Sequence, residues 1–395
     1  MMARRVRRFF FWCHLIAGCA AGIIILLMSL TGVLLTYERQ MLASAARSQQ
    51  APPPFGVAPR PFEELISASL RSGVVEPASI LMYRDAAQPI EFRSGQKSVL
   101  LDRYTGKNLG ESAPQLHAFF QPVLALHRWL GMMGERRKTG KAITGACNFA
   151  FFFLLVTGVY LWWPRKWTRR HLRPVTLYRS RAHGRARDVN WHTVTGFWCA
   201  IPLLVVVGTG IVMSYPWANA LLYKVTGSEA PAGRERREGA TRKSGMTSAD
   251  AMANLDGLTA ALTTVERQVP TWQTILLQMP HSAKPPFMLT VDSGNGGRPD
   301  LRSELVINRS GSVVRATHFA SYSLGRRLRS WVRFSHTGEA GGLVGQTIAG
   351  LASAGGVLLV FSGLALAVRR LDFWRRRKQR QSCEGKAELI AVTLP

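Results

Sequence analysis

Four long apolar runs decide what this chain can fold into. Residues 9–37, 143–163, 197–215 and 345–368 contain no acid, lysine or arginine, and their only histidine is His14. Each has about the 20 residues that a helix needs to cross a bilayer. The polar stretches between them, 38–142 and 216–344, are each large enough for a small domain. The first run follows Arg4, Arg5, Arg7 and Arg8, as a secretory signal would. It is too long for a signal, and no small-residue cleavage site follows it directly, so it reads as a retained anchor.

Lysine and arginine near the helix ends set the orientation. The loop 165–191 carries nine of them against one acid, Asp188, and the tail after Val368 carries eight against three acids. Together with the N-terminus these segments are expected in the cytoplasm, with both long polar stretches on the opposite side. The expected order is a cytoplasmic N-terminus 1–8, a span 9–37, an outward domain 38–142 and a span 143–163. A basic loop 164–191, a span 192–215, an outward domain 216–344, a span 345–368 and a cytoplasmic tail 369–395 complete it. Most of the net charge of +28 is thus a topology signal, and the chain has no nucleic-acid-binding motif, so no nucleic-acid partner is expected. The outward stretches keep a mild basic excess, which serves either as a solvated surface or as an attraction for anionic ligands. Four of the five cysteines lie in or beside the apolar runs and Cys383 in the tail. No disulfide framework is expected, and without C-x-x-C-H there is no covalent haem attachment.

The chain repeats itself. With His14 placed on His192, Gly18 falls on Gly196, Thr31-Gly32 on Thr209-Gly210 and Tyr37 on Tyr215, without a gap. The later parts match more loosely, Thr157-Gly158-Val159 with Ser362-Gly363-Leu364, each preceded upstream by a histidine, His127 or His336. Each unit reads helix, outward domain, histidine, helix: an integral membrane α-helical fold with internal duplication and two α+β modules. Apolar spacing predicts module helices over 62–71 and 248–269. It predicts strands over 79–83, 89–93, 98–102, 272–279, 287–291 and 301–307. Hairpin turns at 102–106 and 308–311 place a glycine where φ must be positive, and 227–245 reads as a flexible linker.

His14 and His192 fall near the cytoplasmic start of the first and third spans, and His127 and His336 near the outward start of the second and fourth. An ionisable group at membrane depth is costly and marks a functional site by default. A single such histidine is as readily an interfacial side chain satisfied by headgroups or a carbonyl; four of them paired by membrane face favour a bound group. A low-spin b-type haem needs two axial ligands and an apolar slot. Gly18 and Gly196, one turn beyond their histidines, would open one. Zinc competes, but it takes four ligands, and only Cys13 or Cys19 stands near enough to add to the count; copper is a weaker match. Arg128 and Arg326, Arg327, Arg329 and Arg333 would serve haem propionates, or are plain interfacial arginines. His14 and Thr31 are 17 residues apart, about 26 Å at ~1.5 Å per residue. Two such sites would therefore sit near opposite faces, with Phe151–Phe153 and Trp162-Trp163 between or beside them. His117 and His318 are the alternatives for the outward site; His171, His183 and His281 read as loop residues.

The segments WCHLIAG, SLTGVLL, LALHRWLG, LLVTGVYLWWPR, DVNWHTVTG, GTGIV and RFSHTGEAGG, in that order, resemble the PepSY-associated transmembrane proteins of bacteria. The resemblance runs from about residue 9 to 370. It implies four helices, periplasmic PepSY-like α+β modules and a place in the inner membrane, and some members of the family are ferrisiderophore reductases. Those use two b-type haems, which carries over here onto His14, His192, His127 and His336 as ligands, with Arg128 and Arg333 beside them. The expected activity is one-electron reduction of a periplasmic ferric siderophore, which frees iron because oxygen ligands hold Fe(III) far more tightly than Fe(II). Arg326–Arg333 with Tyr322, Trp331 and Trp272 would dock the anionic chelate. The donor would be membrane quinol or a separate cytoplasmic reductase, since no dinucleotide-binding glycine motif follows a strand. Two other functions stay open: a non-enzymatic, membrane-anchored binding or regulatory module, and a haem electron donor to another periplasmic protein.

Overall fold

The structure, a computed structural model, describes residues 2–53, 55–71, 77–95, 97–164, 168–230, 255–280 and 285–393. These form two compact units: one from 1–36, 122–215 and 344–395, the other from 37–121 and 216–343.

The first unit is built on four helices long and apolar enough to cross a membrane. These are α1 (Met2–Leu34), α5 (Arg136–Trp162), α7 (Gly184–Ser214) and α11 (Gly342–Thr393). All four predicted spans are almost wholly helical: α1, α5 and α7 begin before their apolar runs and end one to three residues short of them, and α11 extends past its run at both ends. The last helix carries on far into the basic tail. The short α6 (Arg169–Thr176) lies in the basic loop. Helices in a bilayer associate through close packing of small residues, and Gly355 shows how close. A Cβ on Gly355 would stand 2.3 Å from Cys199 Sγ, and one on Gly356 2.8 Å from Ser29 Oγ. The buried Asn148 side chain donates to the Val207 carbonyl at 3.1 Å, tying α5 to α7.

The second unit joins what the sequence presents as two modules. Strands β1 (Ser79–Tyr83), β2 (Ile90–Ser94), β3 (Lys97–Leu101) and β4 (Asn108–Glu111) come from the first polar stretch. Strands β5 (Thr274–Gln278), β6 (Phe287–Asp292), β7 (Arg302–Ile307) and β8 (Val313–His318) come from the second. All eight make one sheet in the order β4-β3-β2-β1-β5-β6-β7-β8, every pairing antiparallel. The seam is β1 against β5, with Leu81 opposite Leu276 at its centre. Two separate outward modules are therefore not what the chain builds. Each stretch would end on the unpaired edge of β1 or β5, and such an edge is a liability; pairing the two removes both edges.

Alternation explains the core. Ile80, Met82, Ile90, Phe92, Ile275, Leu277, Phe287 and Leu289 all face one side of the sheet and are essentially fully buried. Helices α3 (Phe62–Arg71) and α9 (Leu258–Gln268) cover that side with Leu65, Ile66, Leu258 and Val265. The predicted helix 62–71 is observed; of 248–269, residues 248–254 lie outside the described residues, as do 231–245 of the expected linker. Both predicted turns form, with Gly106 at φ 72° and Gly311 at φ 84°. The structure adds β4, β8 and five helices that the sequence does not predict: α2 (Glu38–Gln49), α4 (Pro114–Trp129), α6, α8 (Pro216–Val225) and α10 (Leu324–His336). Truncating Phe92 tests the shared core: Phe92→Ala should cost about 3–5 kcal/mol and unfold strands from both stretches in one transition. Hydrogen exchange that lost protection only in β1–β4 would contradict a single cooperative sheet.

Candidate functional site

The fold brings His14 and His192 together. His14 sits on α1 and His192 on α7, and their ring centres are 6.4 Å apart with the planes at 87°. Two imidazoles ligating one metal from opposite sides, at about 2.0 Å per nitrogen with the ring centre about 1.1 Å behind it, stand about 6.2 Å apart. The observed separation matches that spacing.

The two rings open into a cavity of about 500 Å³ within the helical unit. Gly18, Gly158, Gly196 and Gly363 line it, along with Ile25, Phe151, Leu154, Leu155, Leu359 and Val360. Gly18 and Gly196 thus stand where the one-turn spacing predicts. A Cβ on Gly18 or Gly196 would meet Leu154 or Leu359 at an ordinary contact distance of 3.8 or 3.6 Å, so a methyl group, but not a larger side chain, fits at either position without displacing the neighbouring helix. The lining is mostly apolar with a few polar groups, as in pockets that take small molecules or cofactors. Cys19 also lines the cavity, but no three His, Cys, Asp or Glu side chains converge to hold a metal ion among the described residues. The donor set here is a pair of imidazoles.

Each ring is fixed by a hydroxyl from a further helix. His14 Nδ1 lies 2.8 Å from Thr157 Oγ1 on α5, and His192 Nδ1 lies 3.0 Å from Ser362 Oγ on α11. Four different helices therefore build one site. Two arginines that the sequence reading used only for topology also reach this cavity, Arg185 on α7 and Arg370 on α11. The ion pair of the buried Asp188 with Arg369, at 2.8 Å, clamps together the helix ends that carry them. The Arg370 guanidinium rests over the rings of Phe11 and Trp12, 4.8 and 4.9 Å from their centres. Two cations at the rim of an apolar slot suit a ligand with two carboxylates. Their position within the first turn of α7 and just past the apolar part of α11 was the available signal.

The other predicted residues fall elsewhere. His127, near the end of α4, belongs to the helical unit, where its Nδ1 lies 2.9 Å from Thr31 Oγ1 and 3.0 Å from the Met28 carbonyl. His336 ends α10 in the sheet unit. Arg128 is exposed with its guanidinium over Trp129 at 4.9 Å, and Arg333 is exposed near the Phe334 ring at 5.8 Å. His117 lies on α4 within the sheet unit. His318 is taken up by Ser303 at 2.9 Å on the neighbouring strand, and His171 by Thr168 at 2.7 Å. His183 precedes α7 as its N-cap, and His281 lies outside the described residues. Of the expected docking residues, Tyr322 and Trp331 both pack edge-on against Phe319, and Arg326 covers Tyr322 at 3.6 Å. Trp272 is not among them: it lies in the connection just before β5 and is 5 % exposed, its ring packed edge-on against Phe62 of α3 in the sheet core.

No curated protein matches this chain. The family model of the PepSY-associated TM region, however, matches residues 11–370, a stretch that takes in both ring-bearing helices, their hydroxyl partners and Arg370, and the chain belongs to that family.

Proposed function

We propose that this protein is a bacterial inner-membrane di-haem b reductase that passes single electrons to a ferric siderophore in the periplasm, releasing Fe(II) for uptake. The observation that supports it best is the His14/His192 pair: two imidazoles at 6.4 Å in a glycine-lined, apolar cavity with arginines at its rim. A bound b-type haem supplies reversible one-electron chemistry. The chain's own residues would hold it: His14 and His192 would ligate its iron, the cavity-lining glycines would leave room beside the rings, and Arg185 and Arg370 would pair with its propionates. The second pair, His127 and His336, with Arg128 and Arg333 nearby, rests on the sequence repeat and on family membership. So do the duplication and the periplasmic placement of the sheet unit. Electrons come from membrane quinol or a separate cytoplasmic reductase. The Phe319, Tyr322, Trp331 and Arg326 cluster gives an anionic chelate an aromatic and cationic surface to dock on.

The substrate is tested by reducing the purified protein anaerobically and adding ferric siderophores of several chemical types, with gallium(III) chelates as redox-inert controls. A ferric chelate should reoxidise the protein, with Fe(II) appearing in proportion, while gallium should leave it reduced. Protein that stays reduced with every ferric chelate would point to an electron donor for another periplasmic protein instead.

A further inference from the structure

We infer that Thr157 and Ser362 are positioning residues that lock His14 and His192 in the Nδ1–H tautomer, leaving Nε2 as the free ligand, and that Thr31 does the same for His127. The inference rests on the reading of these histidines as axial ligands. Its physical basis is a count of protons. A serine or threonine hydroxyl has one to give, and within a helix it commonly gives it to the carbonyl four residues back. Thr157 Oγ1 donates to Phe153 O at 2.7 Å, Ser362 Oγ to Leu358 O at 2.6 Å, and Thr31 Oγ1 to Leu27 O at 2.7 Å. With that proton committed, the oxygen can only accept from the imidazole, so Nδ1 must carry the hydrogen. For His127 the argument is doubled, because the Met28 carbonyl at 3.0 Å has no proton at all.

The residue after each hydroxyl is a glycine. A Cβ on Gly363 would come 3.3 Å from His192 Cε1, tighter than an ordinary contact, while one on Gly158 or Gly32 would meet His14 or His127 Cε1 at an ordinary 3.5 or 3.7 Å. A hydroxyl-glycine dipeptide on α1, α5 and α11 thus presents an acceptor to one edge of a ring and removes bulk beside it. Thr209-Gly210, which the repeat matches to Thr31-Gly32, keeps the same internal bond, from Thr209 Oγ1 to Val205 O at 2.6 Å. Hydrogen bonding at the distal ring nitrogen fixes ring orientation and raises ligand basicity, which favours the oxidised metal and lowers its potential.

The experiment is a redox titration, followed by visible and electron paramagnetic resonance spectra, of Thr157→Val, Thr157→Ser and Ser362→Ala. Thr157→Val should raise the midpoint of one haem and leave the other in place, and Thr157→Ser should restore it. Ser362→Ala should raise the same haem's midpoint through the opposite ligand, and it carries the test if the valine variant does not fold. Midpoints unchanged in both variants would overturn the inference while leaving the haem reading intact. If the wild-type protein bound no haem, the proposed function would fall. The tautomer would still be read from ¹⁵N spectra of histidine-labelled haem-free protein, where an Nε2–H form at His14 would overturn the inference and an Nδ1–H form would uphold it.

Discussion

His14→Ala and His192→Ala should each remove one and the same haem, halving the content per chain, and the double variant should lose no more than either single one. Residues that act as a unit are non-additive: once one axial imidazole is gone, the other has no complete site to support. The two histidines come from α1 and α7, each of which also packs along α5 through other residues, so the helical unit should fold in both variants. His127→Ala should instead remove the other haem. Retention of one haem in each single variant is the internal control, since a variant that lost both would report only unfolding. If His14→Ala and His192→Ala depleted different haems, the pairing at 6.4 Å would not be an axial pair.

Filling the slot should be nearly as damaging, and in a way that separates two kinds of glycine. Gly196 lines the cavity and has only Leu359 Cδ2 at 3.6 Å from a would-be Cβ. Gly196→Ala should be tolerated, whereas Gly196→Leu should put a branched side chain into the cavity where the macrocycle would lie. The His14/His192 haem would then be lost from a protein of normal helicity and thermal stability. Gly355 makes the opposite case. Its would-be Cβ collides with Cys199 Sγ and comes 3.2 Å from Cys199 Cβ, so even Gly355→Ala must turn the Cys199 side chain or push α11 off α7, and it should lower stability whether or not haem is present. Equal losses of haem and stability in both variants would mean that Gly196 is a packing glycine after all.

Much of this was legible beforehand because apolar length and repeat register are local properties of the sequence. The runs at 9–37 and 143–163 forecast α1 and α5, and the alignment of His14 with His192 forecast that both would reach one site. Alternation placed β1 at Ser79–Tyr83 and β6 at Phe287–Asp292 within a residue. What stayed hidden depends on contacts between distant segments. Nothing local in Leu81 or Leu276 says that β1 will pair with β5, so two modules were expected where one sheet forms. Strand β8 escaped because both its faces are largely exposed, leaving no alternation to read. Trp272 was misplaced for a related reason: it lies in the connection before β5, and only its packing against Phe62 from a distant helix shows that it is buried. The roles of Thr157 and Ser362 were present as a looser match in the repeat, but a hydroxyl in an apolar helix is usually occupied by its own backbone. Only the approach of a histidine from another helix gives it a second partner.

The most direct test of the account is the visible spectrum of the purified, detergent-solubilised protein together with its haem content. The account predicts a Soret band, sharp reduced α and β bands of low-spin bis-imidazole haem, and two non-covalent haems per chain, one of which disappears with His14→Ala. A protein that folds with four helices and an intact sheet, yet shows no Soret band after expression with ample haem, would contradict it and leave a membrane-anchored binding module in its place.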